Sequence, residues 1–196
     1  MARLGALCLS VLICLLVANP ASAQRGGDKI VGFQGGATTS DLYGGGINTS
    51  SRWGGTAGIF TAFRSSRNTV VSIEGNWVQQ GGADTRLDYI EIPLLFGGVY
   101  PTYDGGVRFR LYTGIAIQFK VSCSGETLLV PSCDRTNSPI WAWPFGLAIG
   151  RYTQDGKFIA LDVRYSLGLS DTYSTSRAYN RSWQFRLVFG KAIQRR

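Results

Sequence analysis

The sequence predicts an all-β protein, an eight-stranded antiparallel up-and-down transmembrane β-barrel. Three observations predict it: side-chain polarity alternates with period two, one face of each segment is apolar while the other is polar, and eight such segments follow one another. Successive side chains of a strand point to opposite faces of the sheet, so these strands separate an apolar from a polar environment. Lipid outside and a polar lumen inside provide both environments. An even number of hairpin-connected strands also lets the sheet close without an exposed edge.

The clearest segment is Gly106–Val121, GVRFRLYTGIAIQFKV, which is predicted as the fifth strand. Its odd positions are apolar except for Thr113, whereas its even positions include Arg108, Arg110 and Lys120. Three cations are too costly for a dry core, so this face is predicted to line a polar lumen. The apolar face is longer than the common strand length of about 5–6 residues, as a membrane span requires.

The first three strands are predicted at Lys29–Thr38, Arg52–Arg64 and Thr69–Val78. A Gly/Ser-rich loop at Ser40–Ser51 separates the first two, and a tight turn at residues 65–68 separates the next two. A polar loop at Gln79–Thr85 is predicted after the third strand. The positions assigned to the outer face include Val31, Phe33, Trp53, Ile59, Phe63, Ile73 and Trp77.

The fourth strand, Leu87–Tyr100, contains Pro93, which lacks a ladder donor and predicts a bulge or local break. After the fifth strand comes the longest loop, Ser122–Asn137. The remaining strands are predicted at residues 139–152, 158–169 and 181–190, with an Asp-Gly hairpin signal at residues 155–156.

Polar residues on the inner positions define a predicted lumen charge network. Interleaved charges of opposite sign favour mutually paired ions over a catalytic pair of acids. We expect Arg110 to neutralise a buried carboxylate in this network. Its predicted members are Glu74, Glu91, Arg108, Arg110, Lys120, Asp162, Arg164 and Arg186.

Connections after the odd-numbered strands are predicted to be longer or more polar than the others. Outer-membrane barrels have short periplasmic turns and longer external loops, so both termini are expected in the periplasm. An aromatic girdle is predicted near the external ends of the strands, where indole rings sit at the membrane interface. It comprises Trp53, Trp77, Trp141 and Trp143.

Export is predicted from the first 23 residues and from the cysteines. Residues 1–23 have a charged start, an apolar stretch and an Ala21-Ser22-Ala23 cleavage site, so the mature barrel domain is expected to cover residues 24–196. Cys123 and Cys133 form an even pair in a polar exported loop and are predicted to form a disulfide. A zinc site is the alternative, but two thiolates without histidine are an incomplete ligand set.

The chemistry of catalysis and of nucleic-acid binding is missing from the sequence. There is no histidine in the chain, so no Ser-His-acid triad can form, and we expect neither an enzyme nor a cofactor or metal site. The formal net charge is +8, but the cations are spread along strands and loops without a nucleic-acid-binding motif. The expected surroundings are outer-membrane lipid, with an extracellular or envelope protein partner of unidentified kind.

The segment Leu87–Phe96, LDYIEIPLLF, resembles a motif of outer-membrane β-barrels that include the PorT-like proteins, and the whole mature chain resembles small barrels of the OmpX-like kind. The resemblance implies a bacterial outer-membrane protein with a structural, adhesive or assembly-partner role that displays external loops. A PorT-like accessory of protein secretion is one alternative. A soluble exported lipocalin-like barrel is the other, and it would place its apolar face inside.

Overall fold

Segments of alternating polarity form the strands of the structure. The structure is a computed structural model, and it describes residues 29–44, 47–66, 68–82, 85–102, 106–125, 133, 136–153, 156–173 and 177–193. The predicted signal segment and cleavage site lie outside the described residues. Within these ranges there are nine strands and no helix long and apolar enough to cross a membrane. The strands are β1 (Lys29–Gly44), β2 (Ile47–Asn48), β3 (Arg52–Arg64), β4 (Thr69–Gly82), β5 (Thr85–Pro101), β6 (Val107–Ser124), β7 (Ile140–Tyr152), β8 (Lys157–Gly168) and β9 (Tyr179–Ile193).

Eight of these strands close into an antiparallel barrel, as the sequence predicts. Neighbours along the chain pair from β3 to β9, and β1 pairs with both β3 and β9. The closing ladder runs from Lys29↔Ile193 to Tyr43↔Tyr179. The short β2 pairs only with the end of β1 in the described part of the chain. We call the end with Lys29 and Ile193 the terminal end and the opposite end the loop end.

The outer face of the barrel is apolar. Large side chains of the predicted outward parity are exposed on every barrel strand, for example Phe33 at 61%, Ile59 at 69% and Leu161 at 63%. Inner positions are buried and mostly polar or small, including Gln34, Glu74 and Arg164. A water-soluble protein would bury the first set and expose the second.

The connection between β4 and β5 corrects the prediction of a polar loop at Gln79–Thr85. The ladder continues to Gly82↔Thr85, so only residues 83 and 84 connect the two strands. Gly81 has a positive φ of 128° just before this tight connection, a conformation that glycine adopts without strain. The predicted alternation of short and long connections is therefore wrong at this position.

Strands also extend beyond the predicted bounds at both ends of the barrel. The Gly/Ser-rich segment predicted as a loop at Ser40–Ser51 instead continues β1 to Gly44 and contains β2. At the other end, Lys191–Ile193 pairs with Lys29–Val31 and is part of β9.

Two prolines interrupt the ladders because they lack an amide donor. The β4–β5 register runs to Ile73↔Leu94 and resumes at Asn76↔Glu91, which leaves an interruption opposite Pro93. The β6–β7 register shows the same interruption, opposite Pro144. The register shift itself lies elsewhere, between Asp88 and Tyr89. The local break predicted at Pro93 is therefore present in the ladder between β4 and β5.

Candidate functional site

The centre of the lumen holds an ion pair between β8 and β4. Arg164 donates from one terminal nitrogen to both carboxylate oxygens of Glu74, each at 2.9 Å. The other terminal nitrogen lies 3.7 Å from a carboxylate oxygen of Glu91 on β5. All three side chains are buried. One guanidinium therefore serves two acids from different strands.

A second guanidinium, Arg186 on β9, pairs with Asp162 on β8. Its Nε donates to Asp162 Oδ1 at 3.0 Å, and its Nη2 also contacts that oxygen. Its remaining terminal nitrogen donates to Glu74 at 3.4 Å. Tyr112 on β6 donates its hydroxyl to Asp162 Oδ2 at 2.7 Å and accepts from Arg164 Nε at 3.1 Å. The tyrosine hydroxyl thus joins the two ion pairs into one network.

Neutral amides donate further hydrogen bonds to two of the acids. Gln34 on β1 donates to Glu74 at 2.7 Å, and Asn76 donates to the same carboxylate at 3.0 Å. Gln118 donates to Glu91 at 2.5 Å. Gln34, Asn76, Gln118 and Tyr112 were not among the predicted members of the network. Inner parity on their strands is the sequence signal that could have identified them.

Small residues on β3 and β7 provide the space that the network occupies. A Cβ atom at Gly58 would lie 2.1 Å from Asn76 Oδ1, and one at Gly146 would lie 2.5 Å from the hydroxyl of Tyr112. Contacts this short do not occur, so both positions require glycine unless the network shifts. The large polar side chains of six strands therefore meet across the lumen because the other two strands carry small residues there.

The predicted network members do not all lie in this cluster. Glu74, Glu91, Asp162, Arg164 and Arg186 are brought together, and Arg110 lies beside them with its guanidinium 5.0 Å from the ring of Tyr112. Arg110 donates to Ser72 Oγ at 2.7 Å, so its hydrogen-bond partner is a hydroxyl instead of the expected carboxylate.

Arg108 and Lys120 lie at opposite ends of the barrel. The guanidinium of Arg108 lies over the ring of Tyr152 at 5.0 Å near the terminal end. The ammonium of Lys120 donates to the carbonyl oxygens of Cys133 and Thr136, at 3.0 and 3.4 Å, near the loop end. Lys120 therefore anchors a loop instead of joining the central cluster.

Between the cluster and the loop end, the lumen is lined by uncharged polar groups. Gln80 donates to Ser182 at 3.1 Å and accepts from Asn180 at 2.5 Å, while Ser40 donates to the carbonyl oxygen of Gly81 at 3.1 Å. All four side chains are buried. Charge is thus concentrated in the middle of the lumen and is followed by a neutral polar layer.

The loop end of the lumen is covered by two connected loops. Thr136, in the connection after β6, bridges to Tyr173 in the connection after β8. Asn137 donates its amide N–H to Thr172 O at 2.8 Å. Tyr173 is buried against Leu42 and Ala178, and this burial raises the pKa of its hydroxyl to about 12. We call the Thr136–Asn137 and Thr172–Tyr173 contact the cap.

The predicted disulfide is present, and it lies beside the cap. Cys123, near the end of β6, is bonded to Cys133 with their Cα atoms 5.7 Å apart. Since Lys120 binds the Cys133 carbonyl oxygen, the bridge and the ammonium hold the same part of the loop. The apolar residues at positions 128–130, within the predicted long loop, lie outside the described residues.

Apolar side chains fill the lumen toward the terminal end. Phe60, Ile30, Val70 and Val188 are buried and pack together on the inner face. Beyond them, a cavity of about 230 Å³ lies at the terminal mouth and is lined by Arg64, Asn68, Val99, Pro101 and Arg108. In the described part of the chain, ion pairs therefore fill the centre of the lumen, and apolar side chains fill it between the centre and the terminal end.

Aromatic side chains lie on the outer surface in the halves of the strands nearer the loop end. The four predicted girdle residues, Trp53, Trp77, Trp141 and Trp143, are all exposed there. A fifth, Trp183, was missed by the sequence prediction. Its ring lies 4.8 Å from that of Tyr165, which in turn lies 5.2 Å from Phe145, while Phe145 lies 5.9 Å from Trp143. The rings thus form a continuous band across β7, β8 and β9.

The chemistry available to this lumen is ion pairing. Each of the three central acids lies near an arginine and a further hydrogen-bond donor. Three acids (Glu74, Glu91, Asp162) meet three cations (Arg110, Arg164, Arg186), so the cluster is formally neutral. In the described part of the chain, no group of three metal-ligating side chains comes together.

No protein-family model matches the chain, and no curated protein matches its sequence. Its structure is similar to the N-terminal β-barrel domain of OprF from Pseudomonas aeruginosa, with a TM-score of 0.54 and 12% identity over 86% of this chain and 100% of that one. It is also similar to the outer membrane protein OprG of Pseudomonas aeruginosa, with a TM-score of 0.53 and 12% identity over 87% of this chain and 98% of that one.

Neisserial surface protein A is a third similar structure, with a TM-score of 0.56 and 9% identity over 81% of this chain and 95% of that one. Identities this low indicate shared architecture and carry no activity from one protein to another. The narrower PorT-like resemblance stays a prediction. The chain has the closed eight-stranded antiparallel fold of small outer-membrane β-barrels.

Proposed function

We propose that the chain is an integral protein of the bacterial outer membrane, closed along its axis, that displays a braced set of loops as a scaffold. The observation that carries the proposal is the polarity of the two faces. Exposed Phe, Leu, Ile and Trp side chains surround the barrel, while the ions are inside. Apolar surface of this extent is stable in lipid and would aggregate in water. A cleaved leader at residues 1–23 would supply export.

The lipocalin-like alternative requires the opposite arrangement. A soluble ligand-binding barrel keeps a hydrophobic cavity inside and a polar surface outside. Here the centre of the lumen holds Arg164, Arg186 and Glu74, each nearly fully buried, with no space for an apolar ligand between them. The outer face of the described strands is instead mainly apolar, with Leu161 and Ile59 exposed.

The side chains that fill the lumen also argue against a function as a diffusion pore. An eight-stranded barrel has an interior just wide enough for side chains. Ion pairs cross it from β4 to β8 and β9, and Gln34 on β1 donates a hydrogen bond to the same glutamate. Opening a path would require the separation of buried, hydrogen-bonded ions, which is strongly unfavourable.

The cap supports a role in presentation. Loops that serve only as connections need no internal bracing, yet here a disulfide and an ammonium brace the connection after β6, and a backbone hydrogen bond joins it to the connection after β8. A pre-ordered loop surface loses less entropy on binding a partner. We therefore place the loop end outside the cell and both termini in the periplasm, with a structural, adhesive or assembly-partner role for the displayed surface.

Membrane residence is tested by fractionation of cells that express the full chain. We expect the protein in the sarkosyl-insoluble outer-membrane fraction, with faster migration on unboiled than on boiled gels. The purified barrel, reconstituted in planar bilayers, should show no steady conductance. Recovery in the soluble periplasmic fraction would contradict the proposal, and steady conductance would contradict the closed lumen.

The presentation role is tested by crosslinking on intact cells. A variant in which residues 126–132 are replaced by a Gly/Ser segment removes the side chains of the disulfide-closed loop but keeps both cysteines. We expect protein partners captured by the wild-type chain to be lost from this variant at equal barrel abundance. Identical capture by both proteins would exclude this loop as the contact surface.

A further inference from the structure

Four cations form an arc on the outer surface at the terminal end. Lys29 on β1, Arg151 on β7, Lys157 on β8 and Lys191 on β9 are exposed and have the outward parity of the apolar belt. Each follows or precedes an apolar outward residue on its strand, such as Ile149 before Arg151. Since β7, β8, β9 and β1 are consecutive in the sheet, the four positions are neighbours around the barrel. We call them the cationic arc.

The described acids all lie away from the arc. Glu74, Glu91 and Asp162 are buried in the lumen, and Asp41, Asp88 and Asp171 lie near the loop end. The sequence also places Asp28 and Asp155 in adjoining positions outside the described residues. Even if both contribute a full negative charge, four cations minus two anions leave the arc with a surplus of two positive charges.

Two of the cations are direct cross-strand neighbours. Lys157 and Lys191 are Cα partners in the β8–β9 ladder, and both point outward. Like charges directly opposite each other destabilise a strand pair. An anion between them would convert this repulsion into attraction. The arrangement therefore indicates a negatively charged ligand at the outer surface of the barrel.

The other half of the same rim differs in chemistry. Its outward positions carry Phe63 on β3, Tyr100 on β5 and Phe109 on β6, all exposed and uncharged. Lys29 lies at the boundary, with its ammonium 5.5 Å from the ring of Phe63. The outward-facing charge is therefore localised to one side of the rim, whereas Arg64 and Arg108 on the other side line the mouth of the lumen.

We propose that the cationic arc binds the phosphate groups of anionic glycerophospholipids in the leaflet at the terminal end. This inference rests on the proposed membrane location. The arc lies where the apolar belt ends, which is the depth of lipid headgroups. Lys and Arg near an anionic leaflet attract its phosphates. Lipid acyl chains cover the adjacent apolar residues, Ile159 and Phe189 among them, so that one molecule contacts both surfaces.

The test is lipid selectivity of the reconstituted full mature chain, measured by electron paramagnetic resonance. Spin-labelled phosphatidylglycerol and spin-labelled phosphatidylcholine are compared as probes in phosphatidylcholine bilayers. We expect the wild-type protein to bind phosphatidylglycerol in preference to phosphatidylcholine. At low salt, this preference should be about fivefold weaker in the Lys157→Gln/Lys191→Gln protein. The matched control is Arg52→Gln/Arg177→Gln, which removes two cations near the loop end.

Each outcome has a distinct meaning. Selectivity that persists in the Lys157→Gln/Lys191→Gln protein, or falls equally in the control, overturns the inference. Loss of selectivity on addition of inorganic phosphate would show that the arc takes free phosphate, which also overturns it. A protein that fails to insert into bilayers contradicts the proposed function, whereas an inserted protein without selectivity contradicts only the arc. Migration on unboiled gels verifies that each variant is folded.

Discussion

Buried ions are tolerated at the centre of this barrel because the most connected acid, Glu74, has several partners at hydrogen-bond distance. Glu74 accepts from Arg164, Gln34 and Asn76, and it also pairs with Arg186. Removal of one partner leaves a desolvated charge, which costs more than the pair itself contributes. Stability at the residue scale therefore depends on which arginine is removed, and the structure distinguishes them.

Arg164→Met should be strongly destabilising, by about 3–5 kcal/mol, because it leaves two buried carboxylates without their shared cation. Arg110→Met is the matched control, since the hydrogen-bond partner lost there is the hydroxyl of Ser72. We expect about 1–2 kcal/mol for the control. Urea unfolding in lipid vesicles measures both free energies. Equal losses would show that the two guanidiniums have equivalent roles.

Gly58→Ala should destabilise the barrel by about 1–3 kcal/mol, because its Cβ would overlap Asn76 and displace the network. Gly75→Ala is its control on the adjacent strand, where the added Cβ meets nothing within 4 Å. There we expect a neutral or slightly stabilising effect. The same unfolding assay applies. A neutral Gly58→Ala variant would mean that the network can shift to accommodate a methyl group.

At the scale of elements, the alternating polarity predicted the eight barrel strands and their inner and outer faces, because lipid and lumen impose opposite demands on one strand. It missed the ends of β4 and β5, where residues 79–82 and 85 have no apolar parity although their backbone remains paired. It also could not assign the ion pairs. Whether Arg164 or Arg110 meets Glu74 depends on the register of strands distant in sequence, which polarity does not encode.

The disulfide should matter for the loop and not for the barrel. Cys123→Ser/Cys133→Ser opens a closed segment with a sequence separation of 10, whereas the barrel ladders close on themselves through β1 and β9. We expect an unchanged unfolding midpoint and faster proteolysis within residues 124–132. Lys120→Met, which removes the neighbouring anchor, should accelerate this cleavage further. A lowered midpoint would show that the bridge stabilises the strands.

At the scale of the whole molecule, one sheet has to satisfy two solvents. Ile115→Arg places a cation on the outer face, where Ile115 is 45% exposed, and should cost about 2–4 kcal/mol if it lies near the bilayer midplane. Ile115→Leu at the same position should be neutral. Unfolding in vesicles measures the difference. A tolerated arginine would mean that this face contacts water.

The two ends of the barrel differ, and this difference predicts the orientation of the protein in the membrane. The loop end has the cap and the aromatic band, whereas the terminal end has the cationic arc and both ends of the barrel chain. External loops and periplasmic termini predict that only the loop end is reachable from outside the cell. Ser124 at the loop end and Lys157 at the terminal end are both exposed and suitable for labelling.

In a background with Cys123 and Cys133 changed to serine, Ser124→Cys and Lys157→Cys each introduce one thiol. A membrane-impermeant maleimide applied to intact cells should label the Ser124→Cys protein and spare the Lys157→Cys protein. After permeabilisation of the outer membrane, both should be labelled, which shows that each thiol is reactive. The reverse pattern in intact cells would place the cap in the periplasm and remove the basis for external presentation. It would also move the cationic arc to the outer leaflet, where the phosphates available to it belong to a different set of lipids.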